Sequence, residues 1–271
     1  MRKILFAFFL RYYFQRAINV GLGHLLRYTS GRVRRVNWDF FEKNLPDSET
    51  WVVVGNGPSL TVEQLESLSY FPSIASNKIS LLFDKTEWRP TVFSIADPLL
   101  IFKLEPDDLN HYANVLCPES VFFGLRHSSK LAWRTISLDN AKRELDKGSL
   151  VVGPLESGLY GGKTITVFNI QLAIWAGAKR IYLLGCDHNY VEPQYQSVKK
   201  VRHGEISNHF DPSYRKQDEV VNNAPVAQMN EAYAFTRRLA DDYGVEIINL
   251  TPDTKLAAFE IGTIESATLK G

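Results

Sequence analysis

Short apolar runs rich in Val and Ile recur between residues 50 and 260, each ending in a polar or glycine turn and most followed by a stretch of helical period. Trp51-Val52-Val53-Val54 leads into Gly55-Asn56-Gly57-Pro58-Ser59-Leu60. A brief β-branched run of this kind reads as a buried strand. Thr61 with Gln64 has capping-box spacing and predicts a helix over Thr61–Ser69. Ser73–Ser76 is a second strand ending at Asn77, Leu81–Lys85 a helical turn, and Thr91–Ala96 a third strand ending at Asp97-Pro98. From Thr164 to Ala176 apolar residues cover so much of the period that the helix must be largely buried, and Gly177 stops it. Ile181–Leu184 is a buried strand followed by Gly185-Cys186-Asp187-His188. A long helix over Ala224–Tyr243 ends at Gly244, and Val245–Leu250 is a last strand. Strands alternating with helices predict an α/β, Rossmann-like fold with an open, mostly parallel sheet and helices on both faces.

The remaining pattern is weaker. Asn37–Thr50 reads as a polar connector, Pro106–Ala113 as a helix, Val115–Cys117 and Val121–Phe123 as short apolar runs, and Leu150–Val152 as a strand. Residues 189–223 are polar and aperiodic, and a connection of that length in a compact domain is expected to be functional, so a lid over 186–223 is predicted.

Strand, glycine turn and helix together present backbone N–H groups and a helix start to an anionic ligand. A nucleotide or sugar-nucleotide phosphate is therefore expected at Gly55, Asn56, Gly57, Pro58 and Ser59, with the glycines allowing close approach. The dinucleotide fingerprint is not met, because Leu60 stands where a small residue is needed and Asn77 falls where an acid is needed. No Gly-Lys-Ser/Thr is present, which excludes a Walker loop here. Asn56, Asn77 and Asp97 each follow a strand, and such residues line the ligand crevice of an open parallel sheet.

The chain has 271 residues and a net charge of +1, enough for one large domain and without a global pull toward nucleic acid. Two cysteines make no disulfide framework, which points to a reducing compartment. Residues 1–36 depart from the average, with eight Lys or Arg, no Asp or Glu, and aromatic residues between them. The uncharged run Ile4–Leu10 is too short to span a bilayer and lacks a signal-peptide cleavage site. A basic helix lying in an anionic membrane surface is expected, making 1–45 a peripheral anchor on the cytoplasmic side of the inner membrane and 46–271 the catalytic domain.

Gly55–Leu60, Asn77, Asp97-Pro98, the run Gly177–Asp187 and the closing run from Tyr233 through Thr251-Pro252 resemble the bacterial sialyltransferases of glycosyltransferase family 42. They are similar, too, to the wider superfamily named for an archaeal 6-hydroxymethylpterin diphosphokinase, the MptE-like domain, and the likeness covers about residues 51–260. The resemblance implies a CMP-sugar donor, a lid, a glycan acceptor and inverting transfer without an essential metal. Asn56 and Ser59 would lie at the phosphate and ribose, Asn77 on the nucleotide, Thr164 near the phosphates, and Asp187–Tyr190 at the start of the lid. Two lid tyrosines among Tyr190, Tyr195 and Tyr214 would stabilise the leaving phosphate, and a lid histidine, His203 or His209, would be the base. Asp97 stands where that family has Asn, and Thr164-Ile165-Thr166 replaces its Thr-Ser-Gly.

The same chemistry follows from the side chains themselves. An attacking sugar hydroxyl must lose a proton, which a near-neutral His can take, and Tyr hydroxyls can hold a departing phosphate. Arg202 is expected to lower the pKa of His203, whereas Asp211 is expected to orient His209, so His209 ranks first. The spacings of Cys186, Asp187, His188, His203 and His209 match no zinc pattern. Two alternatives remain: an MptE-like diphosphotransferase using Mg-ATP, with Asp97 and Asp187 on the metal, and a non-catalytic sugar-nucleotide-binding domain. Oligomer formation is left open.

Overall fold

The computed structural model describes residues 31–101, 103–104, 106–125, 127, 129–190, 198–200, 208–217, 219–222 and 224–269. Most of the expected anchor, together with Tyr195 and His203, lies outside the described residues.

The chain begins with helix α1 (Gly31–Lys43) and strand β1 (Thr50–Val54). Helix α2 (Val62–Ser67) starts at a complete capping box, the Thr61 hydroxyl accepting from the Gln64 N–H and the Gln64 side chain from the Thr61 N–H. Then come β2 (Ser73–Ser76), β3 (Val92–Ser94), α3 (Pro98–Ile101), β4 (Val115–Pro118), β5 (Lys130–Trp133), β6 (Thr135–Ile136), α4 (Leu138–Asp146) and β7 (Leu159–Tyr160). The second half holds α5 (Ile165–Trp175), β8 (Arg180–Leu184), β9 (Val198–Lys200), β10 (Val220–Asn222), α6 (Val226–Asp242), β11 (Glu246–Asn249), β12 (Glu260–Ile261) and α7 (Ile264–Thr268).

Eight strands form one sheet in the order β12-β11-β8-β1-β2-β3-β4-β5, and all neighbouring pairs are parallel. Because side chains alternate across a strand, Trp51 and Val53 join the core under α1, α4, α5 and α6, whereas Val52 and Val54 join the core under α2, α3 and α7. Both faces are thus covered, which is why the strands read as continuous apolar runs. Helix α5 is buried over nearly its whole length and packs on β1, β2 and α6. The chain goes outward from β1 through β2 to β5 on one side, and from β8 through β11 to β12 on the other. The strand order therefore reverses between β1 and β8, the place where open α/β sheets leave a crevice at their carboxyl ends.

Three expectations are corrected. The supposed connector is helical up to Lys43 and belongs to the core: Trp38 is 2% and Phe41 8% exposed, and the Trp38 indole donates to the Ala132 carbonyl at 3.1 Å and meets Trp175 edge-on. Spacing three apart on a helix puts both rings on one face, a signal hidden by the polar residues around them. Pro106–Ala113 makes only a 3-10 turn over Pro106–Leu109. Leu150–Val152 is not a strand; Val151 is exposed, and Tyr243 of the α6 C-cap receives the Val152 N–H and donates to the Leu150 carbonyl. Strand β5 and helix α4, the latter capped by Ser137, went unanticipated.

Trp38→Ala should lower unfolding free energy by about 3–5 kcal/mol, as for other buried large aromatics. Phe40→Ser, at a position 71% exposed on the same helix, should change it by less than about 0.5 kcal/mol. Urea unfolding of both variants decides: equal, mild effects would place α1 outside the core.

Candidate active site

The carboxyl ends of β1 and β8 are joined by contacts that only glycine permits. The Gly55 N–H donates to the Leu184 carbonyl at 2.7 Å and the Gly57 N–H to the Gly185 carbonyl at 2.9 Å. A Cβ on Gly55 would strike the Gly185 carbonyl, and one on Gly57 would strike the Asp187 carboxylate. That carboxylate accepts the Ser59 N–H at 3.1 Å and the Ser59 hydroxyl at 2.8 Å. The amides expected to cradle a phosphate are thus engaged within the protein, and Asp187 stands where the anion was looked for. Burial raises the Asp187 pKa, and the Ser59 hydroxyl and N–H oppose the rise. Behind it, the Thr251 hydroxyl accepts the Cys186 N–H, and the Thr254 hydroxyl donates to the Cys186 carbonyl.

Asn56 and Asn77 line the next part of the edge. The Asn56 amide reaches Ser76 at 3.4 Å, and Asn77 sits at φ 62°, a left-handed conformation that Asn tolerates. Both Oδ1 atoms are buried with no hydrogen-bond partner. Asp97 caps α3, accepting from the Leu99 N–H at 2.9 Å, and also holds the Asn222 amide of β10 at 2.8 Å.

Residues 208–217, within the stretch expected to form a lid, pack against these residues. Phe210 N–H and His209 Nδ1 both meet the Asn56 carbonyl, at 3.3 and 3.1 Å. The carbonyl can only accept, so Nδ1 carries the proton and Nε2 keeps its lone pair. The His209 ring stacks on Tyr214 with centroids 3.8 Å apart. Burial, then the charge of Arg215, pushes the His209 pKa down to about 4, with Lys78 acting the same way and Asn56 and Glu219 opposing. Asp211 does not orient His209. It turns to Ser213 and to Lys85, which hold its carboxyl down at about 2. Arg215 lowers the His209 pKa as Arg202 is expected to lower that of His203, so neither ground for ranking His209 first holds; what the ring keeps is an Nε2 that is unprotonated at neutral pH. Tyr214 is fully buried with its phenol pKa pushed up, and Lys78 Nζ donates to its carbonyl at 2.6 Å.

A second histidine stands across the junction. His188, at φ 53°, donates from Nε2 to the Asn230 Oδ1 at 2.6 Å, leaving Nδ1 buried without a partner. Tyr190 and Tyr233 both meet its ring edge-on. Tyr190 is 39% exposed, and burial about its hydroxyl, with the nearby Cys186 and Asp187, pushes its pKa up to about 12. Burial raises Tyr233 as well, with Thr164 and Thr166 opposing. Thr164 is the N-cap of α5. Asn230 and Tyr233, three apart on α6, were not anticipated; within a helical pattern they carry no signal of their own.

The site thus brings together Gly55, Asn56, Gly57, Ser59, Gly185 and Asp187 directly. Asn77, His209 and Tyr214 close one side of it, and Thr164, His188 and Tyr190 stand on the other, while Asp97 holds a helix cap and β10. Pro58 lies at its exposed rim. Among the described residues no group of three His, Cys, Asp or Glu is placed to hold a metal.

His209 has its folded pKa near 4 against about 6.5 when free, so it stabilises the docked segment above pH 6.5 and that contribution is lost as pH falls through 4. Hydrogen exchange at the Phe210 amide, corrected for its intrinsic rate, should lose protection over that range. In His209→Gln the pH dependence should vanish; an unchanged profile would assign it to another group.

No family model, no curated protein and no solved structure matches this chain, and the chemistry of the site rests on its own geometry.

Proposed function

We propose that the protein is a sialyltransferase-like glycosyltransferase of an MptE-like fold, which takes a sugar from a CMP-activated acidic donor and passes it, with inversion and without a metal, to a glycan acceptor. The observation that carries this reading is the pair of unpartnered amide oxygens, Asn56 Oδ1 and Asn77 Oδ1, buried at the strand-end crevice beneath His209 and Tyr214. Buried acceptors without a donor are rare, and the amino and hydroxyl groups of a nucleoside are suited to meet them. In this reading residues 208–217 are the closing part of a lid. His209 Nε2 takes the proton of the attacking hydroxyl, and Tyr190, kept neutral at physiological pH, donates to the departing phosphate. The basic residues 1–36 would bring the enzyme to an anionic cytoplasmic membrane surface.

The Mg-ATP alternative asks Asp97 and Asp187 to hold a divalent cation. Asp97 accepts both the Leu99 N–H and the Asn222 amide on Oδ1, both oxygens of Asp187 accept from Ser59, and no third acid, His or Cys is placed with them to hold a metal among the described residues, so the site supports this reading less well.

Incubation with CMP-sugars should release CMP at a rate that EDTA leaves unchanged. His209→Ala should cut turnover by about 10²–10⁴-fold with donor affinity little changed. AMP release from ATP that EDTA abolishes would instead establish the diphosphotransferase. Tight CMP binding with no turnover over a broad acceptor panel would establish a binding domain.

A further inference from the structure

Lys78 follows Asn77 at the carboxyl end of β2 and is half-buried, its charge disfavoured by that burial. Its ammonium donates to a neutral carbonyl, that of Tyr214, at 2.6 Å and lies 5.5 Å from the Tyr214 ring centroid. The carboxylate nearest in effect, Glu219, is already taken. Lys103 holds it at 2.7 Å, Arg215 at 3.3 Å and the Lys216 N–H at 3.0 Å. Asp97, the other acid of this edge, caps α3 and binds Asn222. Among the described residues four cations, Lys78, Lys103, Arg215 and Lys216, stand with two engaged carboxylates, Glu219 and Asp97, beside the crevice. Long charged side chains are seldom buried unless paired, and an ammonium with three protons spends only one on Tyr214 among the described residues.

The turn on the other side offers the opposite picture. Its Gly55, Gly57 and Ser59 N–H groups are satisfied by Leu184, Gly185 and Asp187, and the Asp187 carboxylate faces Gly57. An anion placed there would meet a carboxylate and find few free donors.

We propose that Lys78, supported by Arg215, is the phosphate-binding subsite of the crevice, in place of the glycine turn. This rests on the reading of the crevice as a nucleotide site. The phosphate oxygens would take the free Lys78 protons and draw Arg215 partly from Glu219. The nucleoside would then lie toward the Asn56 and Asn77 amides.

The test is calorimetric titration of the full-length protein with CMP, cytidine and inorganic pyrophosphate, for wild type, Lys78→Met, Lys78→Arg and Arg215→Met. Wild type should prefer CMP to cytidine by roughly 10–100-fold, the range of a charge-assisted hydrogen bond, and pyrophosphate should compete with CMP. Lys78→Met should bind CMP no better than cytidine, with cytidine affinity unchanged, and Lys78→Arg should recover most of the preference. Should Lys78→Met fail to melt cooperatively, a several-fold loss of the preference in Arg215→Met carries the same expectation. A CMP preference kept in Lys78→Met, or equal wild-type affinity for CMP and cytidine, overturns the proposal. Pyrophosphate binding that depends on Lys78 without any CMP or cytidine binding upholds the anion subsite and sinks the nucleotide reading instead. Wild type that binds neither CMP nor pyrophosphate overturns both.

Discussion

The carboxylate of Asp187 and the two Ser59 donors it accepts decide the shape of the candidate site. Asp187 leaves β8 and Ser59 leaves β1, neighbouring strands from which the chain departs in opposite directions across the sheet. Without a tie the two loops would splay over the crevice that such a reversal opens. The carboxylate can sit there because Gly57 has no side chain, and Gly57 can sit there because its N–H finds the Gly185 carbonyl. Thr251 and Thr254 hold the same stretch from the β11 side. Three strand ends are thus locked by side-chain to backbone hydrogen bonds, and on the flanks lie three unpaired buried polar atoms, Asn56 Oδ1, Asn77 Oδ1 and His188 Nδ1.

Those flanks differ in character. On the β2 side lie two buried amide oxygens, a histidine kept neutral by burial and by neighbouring cations, and a surplus of positive charge. On the α6 side His188 is held in a left-handed conformation by Asn230 and two tyrosine rings, its Nδ1 buried and unpaired. Unsatisfied groups and backbone strain cluster where a protein handles ligands, because elsewhere they are only a loss of stability.

Much of this was legible in the amino-acid order. β2 falls on Ser73–Ser76 as expected, the Thr61–Gln64 box caps its helix, and Thr164 caps the apolar helix α5, because each is set by local pattern. The strand-end positions of Asn56, Asn77 and Asp187 followed from the same pattern. What escaped depends on contacts across long separations. Trp38 is core because it meets Trp175 and Ala132, and a short window shows only a polar stretch around it. The phosphate-cradle reading of Gly55–Leu60 took two glycines as room for a ligand, whereas the room at Gly57 is filled by a carboxylate 130 positions later. Asp211 looked like a partner for the histidine two residues before it, yet Lys85 and Ser213 hold it away.

If the Asp187 carboxylate is what requires a glycine at position 57, the two residues must be energetically coupled. The direct measurement is a double-mutant cycle by urea unfolding over wild type, Gly57→Ala, Asp187→Ala and the double variant. Gly57→Ala should cost about 1–3 kcal/mol in the presence of Asp187, as overpacking does, and less once the carboxylate is gone, the remainder coming from the Gly185 carbonyl, which the same Cβ would approach to 2.8 Å. An equal penalty in both backgrounds would mean that the glycine serves another contact and that the tie between β1 and β8 does not run through Asp187.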